Sequence, residues 1–343
     1  MRDPFLYLAA LIILVFATPG IAQSEQTSRQ QADRIIVGTN LITLNVIVTD
    51  SKGRYVSGLE RDKFEIYDDK VKQEIAHFSA NNSPVSLGIV CEIHDSTPDR
   101  ARAMLSAIKS FTTTLSNRED YFFVAFSKYG SVNTGFIPSW EQLNDHFTFV
   151  KPGGPSSFYD AVYLATQRLQ NTPNLKKALL VISDGRDENS QHSYKQLRNR
   201  LRTFDAQIYA IGIADPTDDQ FAGYDRWVFE DITRQTGRRS FLLNSEASLG
   251  RAVLSELSRA SGGVTYFPQS ESEPELTAIC TQISVELRQQ YTLGFYSRQP
   301  AGDKWHRLKV HVPKPAKGSS LTLSYREGYQ IAGNKGLRRR TLS

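Results

Sequence analysis

Nearly continuous apolar runs, separated by segments with helical spacing, constrain this chain more than any other feature. Val85 to Cys91 is a continuous apolar run of the kind buried on both faces. It is followed from Pro98 to Ser116 by Met104, Leu105, Ile108, Phe111 and Leu115 at helical spacing. The alternation continues with a strand at Tyr121–Phe126, a helix at Ser157–Leu169, a strand at Ala178–Ser183, a helix at Tyr194–Phe204 and a strand at Ile208–Ile213. Strands alternating with helices of this length predict an α/β fold, a doubly wound and mostly parallel sheet with helices on both faces.

The flanks have a different texture. Ile42, Leu44, Val46 and Val48 alternate along 41–49, which is the signature of a half-buried strand. A turn at Asp50–Gly53 leads to a strand near Lys63–Tyr67, where Phe64 and Ile66 share a face. Asp68-Asp69 then turns into a short strand ending near Phe78. Beyond a last helix at Glu273–Gln290, strands are expected at Tyr291–Tyr296, Trp305–Val312 and Leu321–Tyr325. One β-sandwich built from both ends of the chain, with the α/β domain inserted, is the economical arrangement. Two β segments packed separately on the α/β core is the other. Ile232–Gly237 leading into Ser240–Leu242 resembles Leu257–Gly262 leading into Thr265–Phe267. Each reads as a helix, a glycine cap and a strand; one of them is expected as an extra α/β unit near the end of the sheet, and two ordinary units alike by chance is the other reading.

With 343 residues there is room for two cores and tails. The expected division is a signal peptide over 1–22, a polar linker over 23–39, a β segment over 40–80, the α/β domain over 84–285, a second β segment over 286–330 and a basic tail over 331–343. Arg2, the apolar run Phe5–Ala17, Pro19 and the small residues of Gly20-Ile21-Ala22 read as an export signal cut after Ala22. An uncleaved anchor is the other reading. After such a cut no stretch is long and apolar enough to span a bilayer, so a periplasmic or secreted protein is expected. Cys91 falls in a central strand and Cys280 on a late helix, which reads as buried thiols, with a bridge as the alternative in an oxidising compartment. The net charge of +5 owes much to the tail around Arg338-Arg339-Arg340. Without a basic-aromatic motif, nucleic acid is not an expected partner. An acidic cell-surface polymer remains one.

Ligands of an open parallel sheet bind outside the carboxyl ends of its strands. The loops there are Glu92–Asp99, Gly153–Ser157 and Ser183–Asn189. They offer Glu92, His94, Asp95 and Ser96; Ser156 and Ser157; and Asp184. Carboxylates and hydroxyls converging from three loops suit a hard divalent cation. Asp184-Gly185 is also a common strand-end turn, and Asp99 reads as a helix-start residue.

Several of these segments resemble the von Willebrand factor type A family. Residues 84–90 (PVSLGIV) are similar to its first strand and 153–161 (GGPSSFYDA) to its glycine-rich loop and helix. Residues 177–185 (KALLVISDG) are similar to its fourth strand and 209–213 (YAIGI) to its fifth. Residues 46–78 and Tyr291–Tyr296 resemble the leading and closing segments of a bacterial subgroup. The resemblance spans most of 40–330. It implies a metal-ion-dependent adhesion site of the pattern Asp-x-Ser-x-Ser, a Thr and an Asp. Glu92 stands at the first Asp, His94 and Ser96 at the two Ser, Ser156 near the Thr, and Asp184 at the final Asp. Glu92 reaches a methylene further than Asp, and His94 is softer than a hydroxyl. The site implied is therefore a degenerate one. Magnesium or manganese on Glu92, Ser96, Ser156 and Asp184 is one expectation. A transition metal on Glu92, His94 and Asp184 is a second. A metal-free, hydrogen-bonded rim is a third.

No nucleophile elbow, His-Glu-x-x-His, phosphate loop or Cys-x-x-Cys occurs, so an enzyme is not expected. The resemblance implies an exported protein that binds a protein or cell-envelope ligand through the rim Glu92, His94, Asp95, Ser96, Ser156, Ser157 and Asp184. A metal-independent scaffolding module and a hydrolase of unrecognised type are the alternatives. The sequence sets no oligomeric state.

Overall fold

A computed structural model of the chain describes residues 40–80, 83–92, 98–115, 120–127, 130–137, 156–213, 246–313 and 320–332. The export signal, the linker, the first copy of the near-repeat (232–242) and nearly all of the basic tail lie outside them. The described residues belong to one compact unit, Thr39–Ser343.

The α/β part is a six-stranded sheet flanked by helices. Its strands are β5 (Val85–Glu92), β6 (Asp120–Ser127), β7 (Gly130–Ile137), β8 (Lys176–Ser183), β9 (Gln207–Gly212) and β10 (Thr265–Tyr266), in the order β10-β9-β8-β5-β6-β7. All neighbours are parallel except β6 and β7, which pair antiparallel. Every residue of β5, β8 and β9 is buried, which explains their uninterrupted apolar runs. The helices are α1 (Pro98–Thr114), α2 (Phe158–Gln170), α3 (Tyr194–Arg202), α4 (Glu246–Ser261) and α5 (Glu273–Gln289). α1 and α5 cover one face of the sheet, where Ile108, Phe111, Cys280 and Ile283 meet Ile89 and Leu180. α2, α3 and α4 cover the other, where Val162, Leu197 and Val253 meet Val90 and Val181.

The remaining strands are β1 (Asn40–Thr49), β2 (Glu65–Asp68), β3 (Val71–Gln73), β4 (His77–Ser79), β11 (Tyr291–Ser297), β12 (His306–His311), β13 (Thr322–Ser324) and β14 (Gly328–Tyr329). They form two four-stranded antiparallel sheets, β13-β1-β11-β4 and β14-β12-β2-β3. Each sheet mixes strands from both ends of the chain. Leu44 and Val46 of β1, Phe295 of β11, Ile66 of β2 and Val310 of β12 share one core. The two ends therefore build a single sandwich around an inserted α/β part.

Element boundaries moved by a few residues from the sequence expectation. The strand expected at Lys63–Tyr67 begins with a short 3-10 turn at Arg61–Lys63, so β2 starts at Glu65. The strand expected to end near Phe78 is two strands in different sheets, β3 and β4. The helix expected to reach Phe204 ends at Arg202. β7 and β14 were not foreseen. Thr265–Tyr266 does extend the sheet as its last parallel strand, after a helix capped by Gly262 at φ +80. Cys91 and Cys280 are buried in the same core and not joined by a disulfide, and the Cys91 thiol contacts Met104 Sδ at 3.0 Å.

Candidate functional site

The chain leaves β5 in one direction to build β6 and β7, and later returns on the other side to build β8, β9 and β10. The strand order reverses between β5 and β8, so a crevice is expected at the carboxyl ends of those two strands. Glu92 is the last residue of β5. Ser183 is the last of β8, and Asp184 follows it.

Glu92 is buried, and its Oε2 accepts hydrogen bonds from Ser183 Oγ at 2.6 Å and from the Asp184 amide at 3.2 Å. Ser183 Oγ in turn accepts the Gly185 amide at 2.9 Å. Burial, with the Asp184 carboxylate next in weight, pushes the Glu92 carboxyl up to about 8. Burial therefore favours the neutral form of the group. Ser156, at the start of α2, is buried beside it, and its hydroxyl pulls the other way, favouring the ionised form of Glu92. Glu92 Oε1 and Ser156 Oγ complete no hydrogen bond of ordinary geometry among the described residues. Ser156 is held by its carbonyl, which accepts the amides of Glu188 at 2.8 Å and Asn189 at 3.0 Å.

Asp184 is fully engaged. Its Oδ1 accepts the Arg186 amide at 2.7 Å and its Oδ2 accepts Arg186 Nε at 2.6 Å. Both side chains are largely buried, at 10% and 13% exposure. The loop then stitches itself to α2. Asp187 Oδ1 accepts the Tyr159 amide at 2.9 Å, so it caps that helix across the loop, since Ser157 makes no side-chain cap. Burial raises the Asp187 carboxyl above its ordinary value. Asp160 accepts the amides of Gln191 and His192 and the His192 Nδ1 at 2.6 Å. The His192 ring stacks on Tyr163 at 4.0 Å.

The structure thus brings Glu92, Ser156 and Asp184 to one rim, with Ser157 half-buried at the same helix start. His94, Asp95 and Ser96 lie outside the described residues. Arg186, Asp187 and His192 were not singled out from sequence. An arginine directly after an Asp-Gly turn reads as surface charge, and only its burial against Asp184 shows otherwise. The described donors alone do not complete the shell of a hard divalent ion, and Ser96 of the expected set lies outside the described residues. Such an ion wants about six oxygens. Both Asp184 oxygens accept from Arg186, and Glu92 Oε1 and Ser156 Oγ are the unpaired oxygens beside them.

Counted from its own first strand, β5, the sheet order is third, second, first, fourth, fifth, sixth, the doubly wound order, with the third strand reversed. The α/β part has a von Willebrand factor type A-like fold. Three solved structures similar to the chain illustrate how far that likeness goes. A von Willebrand factor type A protein from Catenulispora acidiphila is 11% identical with a TM-score of 0.41, the match covering 86% of this chain and 75% of that one. An aerotolerance-related membrane protein from Bacteroides fragilis is 15% identical with a TM-score of 0.38, covering 59% of this chain and 98% of that one. The VWA domain of SpRpn10 is 10% identical with a TM-score of 0.37, covering 57% and 94%. No family model and no curated protein matches the chain. The von Willebrand factor type A-like assignment rests on the strand order and concerns fold alone.

Proposed function

We propose that this chain is an exported, non-enzymatic interaction module. In this reading it receives a protein or cell-envelope ligand on the β5/β8 rim without a divalent cation. The observation that carries the reading is the Arg186–Asp184 pair beside a buried Glu92. A guanidinium occupies the carboxylate that a cation would need, so the rim is charge-balanced from within. The loop around it is fixed by Asp187 and Asp160, which gives a partner a pre-organised surface. Glu188 and Asn189 are its exposed tip. No described helix is long and apolar enough to cross a membrane.

The test is a photo-reactive amino acid placed at Glu188, with Lys109 on the exposed side of α1 as the control position. Irradiation in the native envelope is expected to give a discrete adduct from position 188 and none from 109. Equal labelling at both, or none at 188, contradicts the reading. A second reading uses the sandwich, because Tyr296 and Val71, 47% and 61% exposed, line one open groove there. An adduct from position 296 alone would favour that metal-independent scaffold.

A further inference from the structure

We propose that Asp68, Asp69 and His306 form a binding site for a zinc-class divalent transition metal at the β2–β3 hairpin of the sandwich, far in chemistry from the rim. One carboxylate oxygen from each aspartate and a ring nitrogen of His306 lie within 4.8 Å of one another. Imidazole with two carboxylates is a nitrogen–oxygen donor set that zinc accepts.

Strand register brings the residues together. β12 runs antiparallel to β2 with Leu308 opposite Asp68, which places His306 against the turn that follows β2. That turn is Asp69-Lys70, both at positive φ, 45° and 72°. The Asp69 amide donates to the Arg307 carbonyl at 2.9 Å, which fixes the turn against β12. His306 Nδ1 then stands 3.0 Å from Asp69 Oδ2. That contact is a hydrogen bond, and an ion shared tetrahedrally by the two atoms would open it to about 3.4 Å.

A buried oxygen points independently to a ligand. Asp68 is 1% exposed, and its Oδ2 accepts the Tyr329 hydroxyl at 2.7 Å. Its Oδ1 has no hydrogen-bond donor among the described residues. A buried carboxylate oxygen without a partner is costly, and a cation removes the cost. The outer partners are those a metal site uses to orient its ligands. Tyr329 holds Asp68 and stacks on the His306 ring at 5.2 Å, and the Arg307 amide holds Asp69 Oδ1 at 3.0 Å. Of the three ligands Asp69 borders an open groove of about 1000 Å³, with Lys304 and Arg307, while Asp68 borders a separate groove with Val71 and Tyr296. Lys304 Nζ lies 3.2 Å from Asp69 Oδ2 on a side chain that is 68% exposed, and it can swing away as an ion arrives.

The test is titration of the full chain with Zn²⁺, followed by calorimetry and by the ring-nitrogen resonances of His306. About one equivalent is expected to bind and to move the His306 signals. Asp69→Asn, which keeps the turn's backbone preference, should weaken binding at least tenfold. Glu92→Gln at the rim should leave it unchanged. Binding without movement of the His306 signals in the unmodified chain overturns the proposal whether or not any variant folds. So does no binding, or full binding by a folded Asp69→Asn protein.

Discussion

Burial at the end of β5, with Asp184 beside it, favours the neutral form of Glu92. Its pKa in the folded chain, about 8, lies above the ordinary value of 4.5. Both states hold the proton below the ordinary value. Between the two values the unfolded chain releases a proton that the folded rim keeps, so stability falls as pH rises through that window. Glu92→Gln keeps an acceptor for Ser183 and cannot ionise. It should flatten the pH dependence and raise stability at pH 8 by on the order of 1–3 kcal/mol, read by urea unfolding at pH 4.5 and 8. Arg186→Gln strips Asp184 of its charge partner and should cost about 1–3 kcal/mol. Combining it with Asp184→Asn should cost less than the sum of the single changes, which a double-mutant cycle measures. Glu92 and Asp184 were legible in the sequence because each sits where a strand gives way to a loop, and Ser156 because it lies in a glycine-rich loop leading into a helix. The hydrogen bonds that decide their chemistry were not. Arg186 is recognisable as part of the rim only once its guanidinium is seen buried.

At the level of elements, α4 fixes the rim from the side. The backbone of Gly250 lies against the Asp184 carbonyl and Gly185, which itself has φ +79. A Cβ on Gly250 would run into that carbonyl. Gly250→Ala should therefore destabilise the chain by about 1–3 kcal/mol and disturb the amides of 183–186 in an NMR spectrum. An unchanged spectrum would mean that α4 does not brace the loop. The parallel strands were readable because a strand buried on both faces is apolar at every position. β7 was not, since Gly130, Ser131, Asn133, Thr134 and Gly135 give it no apolar run. It forms by pairing with β6, with Phe136 opposite Phe122. The two-residue strand β14 is likewise too short to leave a pattern.

Across the whole molecule, the sandwich and the α/β part meet along a bonded seam. Gln207 Nε2 of β9 donates across it to the Asn45 carbonyl of β1 at 3.4 Å. Arg326 Nη1 donates to the Phe204 carbonyl at 3.0 Å, and the Gln330 amide to that of Arg202 at 2.9 Å. The seam, and a sandwich made from both chain ends, predict one calorimetric transition for the described unit. Two separated transitions would contradict that coupling. The paired alternation of Leu44, Val46 and Val48 with Leu308, Val310 and Val312 made the sandwich visible in sequence. The seam was invisible, because its polar partners are scattered over the chain.

Manganese line broadening bears on the rim most directly. Mn²⁺ added to the full chain quenches amide signals near any ion it meets. The account predicts that the amides of Ser156, Ser183, Asp184 and Arg186 keep their intensity at millimolar Mn²⁺, because Arg186 already holds Asp184 and burial favours the neutral form of Glu92. Selective loss of those signals at low manganese would contradict a rim balanced from within.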